Sequence, residues 1–215
     1  MSTFEVPPER LGAWLARWAQ EHDAIRTETR PGRVTFTGAD GATVIAEPPF
    51  PPLASHPPIE RFAPEPLLEH ARRDRIVGVL LVRLGGYAAG VFNGRRLVDS
   101  KVGTRNVHGR SAAGGQSQKR YERRRDGQSR QAHDAAAEAG AGVLLNHFED
   151  LEAVVLGGDK FALAAVLEDP RLRKLSRLTT ERVLDVPDPR LAVLRSTPDQ
   201  FRSTILQTLD PRSAP

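Results

Sequence analysis

The chain has 215 residues, enough for a real hydrophobic core, and no cysteine, which rules out a disulfide framework and any Cys-based nucleophile or metal site. Thirty-one Lys and Arg against 27 Asp and Glu give a net charge of +4, and no apolar run approaches the roughly 20 residues that span a bilayer. The N-terminus carries Trp14 and Trp18 in a charged segment, not a signal core, so a soluble cytoplasmic protein is expected, with no membrane partner.

In chain order, Pro7-Pro8 precede Leu11, Trp14, Leu15 and Trp18, spaced i, i+3, i+4 and i+7 on one helical face. The tryptophans read as core-packing residues. Residues 33–47 then alternate through Val34, Phe36, Val44 and Ala46, and Asp40-Gly41 between them signals a hairpin. Residues 48–66 hold eight of the seventeen prolines, which predicts an extended linker or surface crossing. The main domain boundary is expected there, dividing a small N-terminal helix and meander (1–60) from the rest (61–215).

Leu67 to Asp74 reads as a short helix. Ile76 to Leu84 is nearly all apolar, as in a buried central strand. Tyr87 to Phe92, Asn93-Gly94 and Arg95 to Val102 complete a three-stranded meander. Its last strand delivers the chain into Gly103–Ser117. A helix is predicted from about Gln118 to Ala139, capped by Ser117, interrupted by Gly127, and apolar only in its second half at Ala132, Ala135, Ala136 and Ala139. A short strand over Ala153–Leu156 ends in Gly157-Gly158, and Asp159 caps a helix through Val166. Another strand lies within Arg177–Val186. Asp188-Pro189 and Thr197-Pro198, the second with Gln200, read as helix starts. The fold class expected is α/β (α+β): a mixed β-sheet with an antiparallel meander and packed helices, and a small helix-plus-meander attachment.

Charge is concentrated. Residues 101–133 hold nine cations and only Glu122 and Asp126 as anions, a window of +7 on a remainder of −3. That is the footprint of a polyanion binder, nucleic acid above all. Lys119, Arg120, Arg123, Arg124 and Arg125 crowd the start of a helix, where cations oppose the macrodipole and a bound anion would compensate them. Just before them stand Gly114, Gly115 and Gln116, two residues without Cβ followed by a neutral amide, where the backbone can approach another molecule closely. The plainer reading of this loop is a Gly-rich surface connection.

Other chemistries fit poorly. Gly109 to Gln116 has the outer spacing of a phosphate-binding loop, but Gly115 and Gln116 stand where Lys and Ser or Thr are required. Gly140-Ala141-Gly142 lacks the third glycine of a dinucleotide fingerprint. The six histidines show no metal-ligand spacing, so no metal or other cofactor is expected. His133-Asp134 reads as an exposed helix pair, and Glu149-Asp150 with Glu152 as a solvated turn.

The sequence His108-Gly109-Arg110, then Gly114-Gly115-Gln116-Ser117, then the Arg-rich helix with Tyr121 and the strand ending Val154-Val155-Leu156-Gly157-Gly158, resembles the GGQ-bearing middle domain of eukaryotic and archaeal class I peptide-chain release factors. It is similar in concept to the Vms-like release-factor family of peptidyl-tRNA hydrolases. The likeness covers roughly residues 70–210. It implies an RNase H-like catalytic domain that hydrolyses peptidyl-tRNA on the large ribosomal subunit during ribosome rescue. It assigns catalysis to Gln116, with Gly115 and Gly114, and RNA contacts to Arg110, Lys119, Arg120, Arg123, Arg124 and Arg125. Two departures stand out. Ser111, Ala112 and Ala113 separate HGR from GGQ, and nothing corresponds to a stop-codon reader, so decoding is not expected. The alternatives are cleavage within the tRNA CCA end and a non-catalytic ribosome- or RNA-binding module.

Overall fold

The computed structural model describes residues 2–83, 86–104 and 117–209, with the backbone alone over 117–128. They fall into two compact units, Met1–Arg73 with Pro198–Pro215, and Asp74–Thr197.

The first unit opens with β1 (Ser2–Val6) and α1 (Pro8–His22). Pro8 sits in the first turn, where its missing N–H costs nothing. Leu11, Leu15 and Trp18 are buried along one face, and Asp23 ends the helix in the left-handed region. Next come β2 (Ala24–Arg30), β3 (Arg33–Gly38) and β4 (Thr43–Glu47). The β3–β4 turn runs through Asp40-Gly41 as expected, with Gly41 at φ 83 and the Ala42 N–H donating to the Asp40 carboxylate at 3.0 Å. With β5 (His56–Ile59) and β11 (Thr204–Leu209), these strands form an antiparallel sheet in the order β1-β11-β4-β3-β2-β5. Alternate residues Val34, Phe36, Val44, Ala46 and Leu206 turn inward and bury against α1.

The proline-rich segment belongs to this unit. It supplies β5, which pairs with β2 at the sheet edge. The Leu53 N–H donates to Pro31 O at 2.7 Å, and the His70 ring bonds Pro49 O at 2.8 Å. His70 lies on α2 (Glu65–Arg72), whose Leu67 and Ala71 enter the same core as Leu11. The units therefore divide at Arg73/Asp74 and not at 60/61, because α2 buries its apolar face in the N-terminal core. The second difference lies at the far end. The sequence suggests only helices after residue 188, whereas the short α6 (Pro198–Phe201) leads into β11, which is inserted between β1 and β4.

The second unit is a five-stranded mixed sheet, β10-β9-β6-β7-β8. Its centre, β6 (Ile76–Arg83), is buried from Val77 to Val82 on both faces, as its apolar run predicts. β7 (Gly86–Asn93) and β8 (Arg96–Thr104) continue the meander antiparallel, turning at Gly94 with φ 58. α3 (Ser117–Leu144) takes in Ser117 as its first residue, runs through Gly127 without a break and continues past Ala139. It packs on β6, β7 and β8, burying Ala136, Ala137 and Leu144 against Leu80, Ala89 and Val91. β9 (Ala153–Gly158) pairs parallel to β6, and α4 (Lys160–Leu167) follows, capped by Asp159, whose carboxylate accepts the Ala162 N–H at 2.8 Å. A 3-10 helix (Pro170–Leu178) leads to β10 (Thr179–Leu184), parallel to β9, and then to α5 (Leu191–Ser196). The expected helix start at Asp188-Pro189 is displaced to Leu191, with no side-chain cap from Arg190. Pro189 is used for packing instead: a Cβ at Gly86 would lie 3.3 Å from its Cδ.

Candidate functional site

The segment that carries the chemistry in the sequence is mounted between β8 and α3. β8 runs antiparallel to β7, and β7 antiparallel to β6, so Thr104 leaves the sheet at the same end as the carboxyl ends of β6, β9 and β10. Arg110, Gly114, Gly115 and Gln116 lie outside the described residues. β8 precedes them in the chain and α3 follows them.

At the foot of the loop, Gly103 pairs across the ladder with Tyr87. A Cβ at 103 would run into the Tyr87 hydroxyl and ring, so any larger residue there would have to displace that ring. Lys101 Nζ stands 3.9 Å from the Glu138 carboxylate, tying β8 to α3. On the same strand Asp99 meets His147 Nε2 at 3.3 Å.

The position of α3 along the sheet follows from its contacts. A Cβ at Gly78 would meet Leu144 at 3.0 Å, and one at Gly140 would meet Leu80 at 3.4 Å. Four residues of helix, about 6 Å, thus match two residues of strand, about 7 Å, in the opposite direction. Carried upward, this register brings α3 past the end of β6 near Asp134. Burial agrees, since the first buried side chain among the described residues of α3 is Ala132. Residues 117–131, roughly 22 Å of helix, therefore precede the part of α3 that packs on the sheet. Lys119, Arg120, Arg123, Arg124 and Arg125 all lie on this leading part, together with Arg130, against Glu122 and Asp126, a local charge of +4. The buried half of the helix is the alanine-rich one.

Lower on α3, Arg171 approaches Asp134 and Glu138 and makes a two-pronged pair with Asp169, with Nε 3.0 Å and Nη2 2.8 Å from its oxygens. That hydrogen bonding, with the Arg171 backbone N–H also donating to Asp169, holds the Asp169 carboxyl below the usual range and raises the Arg171 guanidinium. His133 is half-buried on α3, and Glu149 and Asp150 are exposed. Among the described residues no group of three His, Asp or Glu is placed to hold a metal ion, and no helix is long and apolar enough to cross a membrane.

A family model for the Actinobacteria/chloroflexi VLRF1 release factor matches residues 75–207. The chain belongs to this release-factor family. The match begins where the second unit begins and ends within β11. Among curated proteins the chain is similar to peptide chain release factor subunit 1 of Thermococcus onnurineus, 33% identical over 101 residues, which is 46% of this chain and 24% of that protein. The Methanopyrus kandleri counterpart is 29% identical over 128 residues, 60% of this chain and 30% of that protein. The aligned stretch thus spans about a quarter of the length of these relatives. Solved structures similar to the chain include the archaeal translation termination factor aRF1 (TM-score 0.39, 14% identity, 92% of this chain and 73% of that one). Another is S. cerevisiae Dom34, a translation termination-like factor in RNA quality control (TM-score 0.36, 8% identity, 91% and 62%).

Sequence reasoning brought the loop and the basic helix together, and the helix is where it was expected. It missed Tyr87 at the foot of the loop. Only the β7–β8 register puts that ring over Gly103, and a register is not written in either strand alone.

Proposed function

We propose that this release-factor-family chain is a peptidyl-tRNA hydrolase that frees stalled nascent chains from the large ribosomal subunit in the cytoplasm. The reading is supported by one arrangement: the GGQ sequence immediately precedes, in the chain, a cationic helix whose first stretch of about 22 Å comes before the part packed on the sheet. A catalytic group just ahead of such a helix suits a reacting bond that lies deep in a negatively charged site. A small metabolite in solution would need no such helix.

The reaction is attack by water on the ester carbonyl that joins the peptide to the tRNA 3′ oxygen. A new C–O bond forms to water, the bond to the 3′ oxygen breaks, and the water proton passes to that oxygen. The protein supplies no nucleophile. The Gln116 backbone N–H contacts the leaving oxygen, and its side-chain amide orients the water. Gly114 and Gly115 remove the side chains that would block close approach. Arg110, Lys119, Arg120, Arg123, Arg124 and Arg125 hold phosphates of ribosomal RNA and tRNA, fixing the position of the loop while carrying no sequence information. No cofactor takes part.

The test is single-turnover release of labelled peptide from large subunits carrying peptidyl-tRNA, resolving both peptide and tRNA ends. Gln116→Ala should slow release by about 100-fold, the scale of losing one positioned polar group in a transition state. Release at the wild-type rate would remove the Gln116 side chain from the mechanism. Peptide recovered still joined to a CCA fragment would make the enzyme a nuclease, and binding without any product would make it a non-catalytic module.

A further inference from the structure

The second unit carries another dense run of cations, set apart from the loop. The 3-10 helix Pro170–Leu178 reads PRLRKLSRL and contains Arg171, Arg173, Lys174 and Arg177 with no acid. Three residues per turn place Leu172 and Leu175 on the inner side, where both are buried. The same period puts Arg171, Lys174 and Arg177 in one outer row, successive members about 6 Å apart along the axis. All four cations are exposed.

Their partners differ. Asp169 occupies Arg171. Arg173, Lys174 and Arg177 make no ion pair among the described residues. Two of them are fixed by an aromatic ring instead: Lys174 Nζ lies 4.2 Å and Arg177 Cζ 4.7 Å from the centre of Phe148. Phe148 is itself in the core, only 7% exposed. A ring face orders a cation without cancelling its charge. The exposed Glu149 and Asp150 follow directly in the chain and still do not reach these cations. The result is a cluster of exposed cations, two of them ordered by a ring, that make no ion pair among the described residues.

The chemistry of the surroundings selects the partner. A protein interface needs an apolar centre. The exposed apolar side chains of this unit, Val98, Val102, Phe161 and Leu191, all lie on other elements. A nucleic-acid backbone needs only ordered cations with polar surroundings. Arg171, already paired with Asp169, also feels the charges of Asp134 and Glu138, the acidic stretch of α3 below its cationic head. We propose that Lys174 and Arg177, ordered over Phe148, form a second RNA-phosphate contact together with the exposed Arg173, which rests on the ribosome being the partner. The level of Glu138 lies about 20 Å down α3 from Arg124. Two contacts at that separation would fix the direction of α3 on the ribosome, which one patch at its head cannot do.

The experiment uses the full chain with two probes, purified large ribosomal subunits and a short RNA duplex, and measures Kd across a salt series. The triple variant Arg173→Gln, Lys174→Gln, Arg177→Gln should bind both at least 10-fold more weakly near physiological salt. Its plot of log affinity against log salt should be shallower by about 2 to 3, one for each lost phosphate contact. Arg173→Gln alone, which leaves the Phe148 stack untouched, should lower the slope by about 1, and an unchanged melting temperature would confirm the fold. Wild-type affinity and slope in both variants would overturn the proposal, whatever acidic protein were later found to bind there. The readout needs no peptide release. A wild type that binds subunits but releases no peptide would overturn the proposed hydrolysis and still leave this surface tested. A wild type that binds neither probe would end both.

Discussion

Gly158 and Gly142 show how differently two glycines of one unit can be constrained. Gly158 closes β9 at φ +105, and a Cβ there would run into the Val82 carbonyl of the neighbouring strand. Gly142 lies in α3 with open space where a Cβ would go. Replacing Gly158 by Ala should cost at least about 2 kcal/mol, since it adds left-handed strain to a clash with backbone that cannot swing aside. Replacing Gly142 by Ala should stabilise by about 0.5–1 kcal/mol, the helix-propensity gain of an unhindered site. Urea midpoints measured on the two variants decide the matter, and a shift of the same sign in both would refute this account. The contrast matters for function because Gly158 sits at the sheet end from which the loop emerges, and Gly103, under the Tyr87 ring, forms part of its footing.

At the scale of elements, α3 joins stability to activity. Its lower half is held by small residues: Ala136 is fully buried in the cluster that includes Leu80, Ala89 and Val91. Ala136→Leu should overpack this seam at a cost of about 1–3 kcal/mol. It should also slow peptide release, because the upper half of the same rigid element carries the loop. Wild-type release from a correctly folded variant would show that the helix does not transmit the displacement. The sequence revealed α3 because composition changes along it, and it revealed the β6–β8 meander because an apolar run and Asn93-Gly94 are local signals. It could not reveal where distant strands pair. β5 hides in HPPI, two prolines that an edge strand tolerates and a central one would not. β11, TILQTL, has no turn signal to tie it to β1 and β4, which lie some 200 and 160 residues away. The cations of Pro170–Leu178 escaped notice because Leu172, Leu175 and Leu178 repeat every third residue, a period belonging to neither α-helix nor strand. How far α3 runs ahead of the sheet was not legible, since that depends on the packing register of the helix.

For the whole molecule, the chain passes between the two units twice, at Arg73/Asp74 and at Thr197/Pro198. The second unit is continuous, whereas the first is completed by residues from both parts of the chain. β11 is the sole neighbour of β1 and one of two neighbours of β4. Leu206 is fully buried beside Leu11 and Val44. Arg202 Nη1 reaches Glu9 at 2.8 Å, and the rings of Phe50 and Phe201 meet with centroids 5.9 Å apart. Removing residues 198–215 would strip β1 of its ladder, open one side of β4 and leave a cavity in place of Leu206. A leucine-to-alanine change alone costs about 2–5 kcal/mol, which is a large share of the stability of a domain this size. The shortened chain 1–197 should therefore lose amide protection throughout β1–β4, while β6, β7 and β9 of the second unit keep theirs. Hydrogen exchange read peptide by peptide separates the outcomes. Retained protection in β4 would mean that the six-stranded sheet stands without its inserted strand. Loss of protection in β6 as well would mean that the second unit depends for its own folding on the unit that closes around β11.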